Sequence, residues 1–237
     1  MKVLLIAGLV LSFAFVLATS QQPSSKYPLK YVGYLYPAGP KDTHGTEVNI
    51  ELFGDILCPY TKRAYSTLKE LISYYRSKKI NIQLRIINAV QPFHPRSYYV
   101  TSTIAAANFA AQTRTRRIRV DDTAIALSDK FFSTQESYSE KMTNDITPNN
   151  LLKQLRFVAS NHTCSVGGGG TCLTEVEIEE AYKNERVDAI VKGQIKYGRQ
   201  NSVHGTPTFA INGLLEPTIE SSWTLEQWLK LIDPLIT

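Results

Sequence analysis

Residues 47–87 constrain the fold more tightly than any other part of this 237-residue chain. "EVNIELF", Glu47 to Phe53, alternates polar and apolar side chains with the period of a half-buried strand, and "INIQLRII", Ile80 to Ile87, repeats the pattern. Between them Ala64, Tyr65, Leu68, Leu71, Ile72 and Tyr75 recur at helical spacing, which predicts a helix from Thr61 to Arg76. Strand, helix and strand in so short a span imply a parallel pair joined by a right-handed crossover. Pro59 suits the first helical turn, where a missing N–H costs nothing, so Cys58 falls at or beside the N-cap. The unsatisfied backbone N–H groups and the positive end of the helix dipole favour negative charge on a sulfur placed there.

Further along, the pattern turns helical. Helices are predicted near Ser97–Gln112, near Asp122–Ser133, and to Ser160 from Thr147 as cap with Pro148 in the first position. A single long helix is predicted from Thr174, which forms a capping box with Glu177, to Gly198 as its terminator. "PTFAING" then reads as a strand entering a two-residue Asn212-Gly213 hairpin turn, with "LLEP" as its partner. A last amphipathic helix opens at Thr224, boxed with Gln227. The class is therefore α/β: strands and helices at both ends enclose a helical insertion, with no internal repeat and no low-complexity linker.

With 43% hydrophobic and 20% charged residues, the chain has the composition of a globular protein with a sizeable core. Its net charge of +5 is spread thinly. The one dense basic stretch, Arg114 to Arg119, runs at once into Asp121 and Asp122, a solvated surface pattern, so nucleic acid is not an expected partner. At the N-terminus Lys2 precedes an apolar run from Val3 to Ala18, followed by small and polar residues, the layout of a signal peptide over residues 1–20 cleaved near Ser20. The run is short of the roughly 20 residues a spanning helix needs, and no basic stop-transfer cluster follows it, so no stable membrane insertion is expected after cleavage. Residues 21–45 form an N-terminal extension. The C-terminal "DPLIT" carries no Lys-Asp-Glu-Leu type retention signal. The expected location is outside the cell or in the lumen of the secretory or endosomal pathway, where disulfides persist.

That compartment gives the cysteines meaning. There are three: Cys58, Cys164 and Cys172. Four glycines between Cys164 and Cys172 let the chain turn back on itself, which predicts a structural disulfide and leaves Cys58 unpaired. No Gly-Lys-Ser/Thr follows the glycines and no strand leads in, so they do not read as a phosphate cradle. The spacings lack the paired Cys-x-x-Cys or His-x-x-x-His of a zinc site, and no metal is expected. Asn161-His162-Thr163 is an N-glycosylation sequon in a stretch that reads as rich in turns, with Asn161 as acceptor.

The order of "VNIELFGDILCPYTKRAY", a helical insertion and "VHGTPTFAING" resembles the DsbA-like branch of the thioredoxin fold, over roughly residues 47–234. The resemblance implies a thioredoxin-like domain at 46–92 and 199–237 with a helical insertion at 93–198. It implies further that Pro207, preceded by Thr206, is cis and faces a reactive Cys58, and that Pro59, Tyr60, Thr206 and His204 border the substrate. The departure is Thr61, which stands where the family has its second cysteine. A dithiol enzyme releases its mixed disulfide by attack of that second sulfur, and a threonine hydroxyl cannot substitute for it near neutral pH. Three functions are compatible. Cys58 is the nucleophile of a monothiol thiol–disulfide oxidoreductase or isomerase acting on thiol- or disulfide-containing proteins or peptides, with glutathione as a candidate co-substrate and no bound cofactor. Alternatively, the fold is a non-catalytic, chaperone-like module that binds extended peptide beside Pro207. The third, a kappa-type glutathione transferase relative, fits less well, because those enzymes work inside organelles. Thr61 is expected to donate a hydrogen bond to the sulfur. His204 either approaches Cys58 or, the weightier expectation, is an exposed loop histidine, and His94 between two prolines reads as structural or capping.

Overall fold

The computed structural model describes residues 32–36, 44–114, 121–166 and 172–236. The expected signal peptide, most of the 21–45 extension, residues 115–120 of the basic stretch and the glycines 167–170 lie outside the described residues.

Alternation at positions 47–53 is resolved by a sheet covered on both faces. The central strand, β2 (His44–Gly54), pairs in parallel with β3 (Ile80–Asn88), in a register that sets Leu52 opposite Ile86 and Gly54 opposite Asn88. Outside β3 lies a two-residue antiparallel strand, β1 (Tyr34–Leu35), too short to leave a periodic signal in the sequence. On the other side β4 (Thr208–Ile211) runs antiparallel to β2 and turns into β5 (Leu214–Leu215), giving the order β1-β3-β2-β4-β5. The turn between β4 and β5 is the expected Asn212-Gly213, both with positive φ (49° and 84°), and the Asn212 side chain accepts from Asn49 N at 2.9 Å.

Helix α1 (Pro59–Ser77) is the crossover, and its buried stripe of Ala64, Tyr65, Leu68, Leu71, Ile72 and Tyr75 joins Val48, Ile50 and Leu52 in the main core. Each large aliphatic side chain in that seam contributes roughly 1.5–3 kcal/mol by leaving water. The final helix, α8 (Leu225–Ile232), adds Trp228, whose ring meets Phe209 edge-on at 5.3 Å. Phe53, Ile87, Ala89 and Ala210 join Val203 in a second, smaller core, and Tyr197 stacks on Phe53 at 5.8 Å.

The insertion comprises α2 (Ser97–Arg114), α3 (Asp122–Ser133), a short α4 (Glu140–Thr143), α5 (Pro148–Val166) and α6 (Glu175–Tyr182). Helix α2 is apolar for most of its circumference and buries Val100, Ile104 and a run of alanines; small side chains let its neighbours approach closely. Two sequence expectations need correction. The single helix over 174–198 is two: α6 ends at Tyr182, and Asn184 caps α7 (Glu185–Gln200) by accepting from Arg186 N at 2.9 Å. Asparagine side chains compete for backbone N–H groups in this way, and the apolar periodicity runs through the break without registering it. Nor does Gly198 end α7, which continues to Gln200; it is buried, where an added Cβ would sit 3.7–3.8 Å from Ala89, Phe53 and Val203.

Candidate functional site

The C-terminal ends of β2 and β3 and the start of β4 lie at one end of the sheet, because Gly54 pairs with Asn88 and Phe53 with Thr208. Three loops therefore converge there: 55–58, 89–96 and 203–207.

The first is a tight turn that delivers Cys58 to the N-cap of α1. Asp55 accepts Leu57 N on its side chain (2.8 Å) and Cys58 N on its carbonyl (3.0 Å), the local pairing that aspartate favours in turns. Pro59 then occupies the first helical position, and the helix starts with Lys62 N donating to the Cys58 carbonyl at 3.1 Å. Cys58 has no side-chain capping bond. Its Sγ instead points across the site and donates to the carbonyl of Thr206 at 3.3 Å. The Thr206–Pro207 bond is cis, and among X-Pro bonds in folded proteins only about one in twenty is. The carbonyl of Val203 in the same loop accepts from the Arg199 guanidinium at 2.9 Å, tying the loop to the end of α7. Cys58 is 3% exposed, while Pro59 and Tyr60 beside it are open to solvent, Tyr60 at 59%.

Thr61 is fully buried. Its hydroxyl does not turn to the sulfur as the sequence suggested: it accepts from Asp55 N, at 3.4 Å, while its methyl faces Gly54 so closely that a Cβ there would come within 2.5 Å. Threonine at 61 and glycine at 54 are thus a matched pair. His204 is exposed on the third loop.

The sequence did not reveal Asp55. Its carboxylate is completely buried and gathers donors from the second loop: Gln91 N at 2.7 Å on one oxygen, the Ser97 hydroxyl at 2.6 Å on the other. His94 Nδ1 lies 3.4 Å from that second oxygen, an ion-pair contact when the imidazole is protonated. Asp55 lifts the His94 imidazole above its ordinary range, against the opposing effect of partial burial. Within the insertion, Gln135 donates to the Ile56 carbonyl at 2.9 Å. The only signal available in the sequence was an aspartate closing an apolar strand two residues before Leu57.

The remaining sequence candidates lie in the insertion. Cys164 and Cys172 are bonded to each other, and Cys58 is free. Asn161 is exposed, but on helix α5 and not in a turn; Thr163 of the same sequon is buried, donating to the Ser160 carbonyl and accepting from Leu173 N. Among the described residues no three His, Cys, Asp or Glu side chains are grouped to hold a metal ion, and no helix is long and apolar enough to cross a membrane.

A family model described as thioredoxin matches residues 43–234. Among solved structures, a proposed protein-disulfide isomerase from Pseudomonas syringae is 25% identical, with 84% of this chain and 97% of that one covered at a TM-score of 0.63. DsbA from Chlamydia trachomatis (15% identity, 84% and 93% covered, TM-score 0.56) and oxidised BdbD from Bacillus subtilis (16%, 85% and 91%, 0.54) share the fold. A search of curated proteins returned no significant match.

Proposed function

The chain belongs to the thioredoxin family, in its DsbA-like branch, and from that premise we propose that it is an extracytoplasmic thiol–disulfide oxidoreductase or isomerase working as a monothiol through Cys58. One observation carries the proposal: a single unpaired thiol at a helix N-terminus, aimed at the carbonyl that precedes a cis proline.

In the first step the Cys58 thiolate attacks one sulfur of a substrate disulfide. A new S–S bond joins Cys58 to the substrate, and the other substrate sulfur leaves as a thiolate and takes a proton from solvent. With Thr61 in the resolving position, the second attack comes from another thiol. If that thiol belongs to the substrate, the disulfide is rearranged with no net electron transfer. If two glutathione molecules are consumed, the substrate disulfide is reduced to two thiols and glutathione disulfide is formed. In this reading the exposed Pro59 and Tyr60 beside Cys58, Thr206 whose carbonyl accepts from its Sγ, and His204 exposed on the same loop as Thr206 border the bound peptide. The Cys164–Cys172 bridge supports an oxidising compartment, in keeping with a signal peptide at 1–20 and a glycan on the exposed Asn161.

A specific observation favours a second function, a non-catalytic peptide-binding module: Cys58 is nearly enclosed, with its S–H already engaged. The deciding experiment incubates the mature protein with glutathione disulfide and with a scrambled disulfide substrate. Monothiol catalysis gives a Cys58–glutathione adduct and restored substrate activity, both lost in Cys58→Ser. If the natural protein forms no adduct and Cys58→Ser binds peptide as well as the natural protein does, the module takes the place of the enzyme.

A further inference from the structure

The turn that carries the nucleophile is held from both the thioredoxin-like segment and the insertion. Three of its groups are anchored beyond the turn: one oxygen of Asp55 by Gln91 N of the second loop, the other by Ser97 with His94 of the insertion, and the Ile56 carbonyl by Gln135 of the insertion. A fully buried carboxylate is tolerated only when its lone pairs are met by donors, and here the donors come from both halves of the fold. We propose that Asp55 is the positioning residue of Cys58, locking the sulfur-bearing turn to Gln91 of the second loop and to His94 and Ser97 of the insertion. The proposal deepens the monothiol function, on which its kinetic part rests.

The carboxylate is needed, not merely its shape. In Asp55→Asn one of the two oxygens becomes an NH2. Either orientation of the amide then sets a donor against a backbone donor, Leu57 N or Gln91 N, neither of which can reverse its role. The turn would relax and the sulfur would leave its place opposite Thr206, while Pro59, Tyr60 and the cis-proline loop stay as they are. A displaced nucleophile with an intact binding surface loses rate and not affinity.

His94 is the part of the lock that solvent reaches, its side chain being 23% exposed. Asp55 of the turn and Glu140 at the start of α4 both act on its charge, and both favour the imidazolium. Arg96, two residues on, turns away and donates to the carbonyls of Thr143 and Ile146. The sign follows from the raised value in the folded protein. The contribution of His94 is complete below the ordinary imidazole pKa of about 6.5 and is lost as pH rises through the folded value, leaving Asp55 one partner short.

Amide hydrogen exchange at Leu57, Cys58 and Gln91 reads the lock directly, and the rate of Cys58–glutathione adduct formation reads its consequence. Protection at these amides, corrected for the intrinsic pH dependence of exchange, should fall as pH rises in the natural protein and be flat in His94→Gln. Asp55→Asn should lower the maximal adduct rate by roughly ten- to a hundredfold with little change in the half-saturating disulfide concentration. Should Asp55→Asn not fold, Ser97→Ala, which removes one donor only, is expected to shift protection and rate in the same direction by a smaller factor. Unchanged protection at Leu57 in either folded variant, or the same pH dependence in His94→Gln as in the natural protein, overturns the proposal. A natural protein that forms no adduct yet shows the pH-dependent protection refutes the monothiol function and leaves the lock standing.

Discussion

Replacing Thr61 by cysteine tests whether the site is a dithiol scaffold with one sulfur missing. Position 61 lies in the first turn of α1, three residues from Cys58, within reach of a disulfide. Threonine and cysteine are close in volume, so the buried space beside Gly54 is not overfilled. What is lost is the hydroxyl that accepts from Asp55 N, a long contact at 3.4 Å, and leaving that buried N–H poorly satisfied costs about 1–2 kcal/mol in the reduced variant. Closing a four-residue loop with a disulfide restores about 2 kcal/mol by chain-entropy scaling. The two effects nearly cancel. Oxidised Thr61→Cys should melt close to the natural protein, and on reduction its melting temperature should drop by several degrees while the natural protein, treated mildly enough to spare the Cys164–Cys172 bridge, does not move. Function should change more than stability. The second sulfur can resolve a mixed disulfide internally, so the Cys58–glutathione adduct should become short-lived, and the variant should show dithiol reductase activity above that of the natural protein. Differential alkylation with peptide mapping and a scanning thermal melt under both redox conditions supply the measurements. Folded, oxidised Thr61→Cys with both thiols still alkylatable would refute the reasoning, because it would mean the Cys58 rotamer facing Thr206 cannot turn back toward the helix.

Two further outcomes are expected from the same structure. Gly54→Ala should destabilise by about 1–3 kcal/mol, because its Cβ meets the Thr61 methyl at 2.5 Å, and Thr61→Ser, which removes that methyl, should recover most of the loss; denaturant midpoints that add independently in the double variant would show that the two residues are not in contact. Cys164→Ser with Cys172→Ser should cost about 2–3 kcal/mol, set by the eight-residue separation of the bridged cysteines, while adduct formation at Cys58 stays unchanged; a large loss of Cys58 reactivity would show that the bridge supports the site.

The parts of this fold that could be read from the sequence are those whose signal is local. Pro59 announces the start of α1 because its consequence falls on its own backbone, and Asn212-Gly213 announces a hairpin for the same reason. The capping boxes at Thr174 and Thr224 close within four residues and stand where expected. Asp55 shows the opposite case. Its partners Gln91 and Ser97 are 36 and 42 residues away, and nothing in "GDILCP" says that the side chain will be buried among them. The Asn184 break was missed for another reason: apolar residues recur at helical spacing on both sides, so periodicity is blind to an interruption of the backbone helix between them. The turn-rich setting expected around the sequon is a helix instead, and its Thr163 serves the end of α5, bonding Ser160 and Leu173, a structural use that a three-residue motif cannot reveal.

Thr61 and Asp55 also explain how a chain can keep this architecture without the second sulfur. Position 61 is buried against Gly54 at the end of the central strand, so its side chain has to be small, apolar where it faces the glycine and able to accept from the Asp55 amide. Threonine meets all three conditions, with its methyl against Gly54 and its hydroxyl capping the Asp55 amide. The turn therefore does not depend on a disulfide for its shape, because the carboxylate of Asp55 and the donors of the insertion hold it.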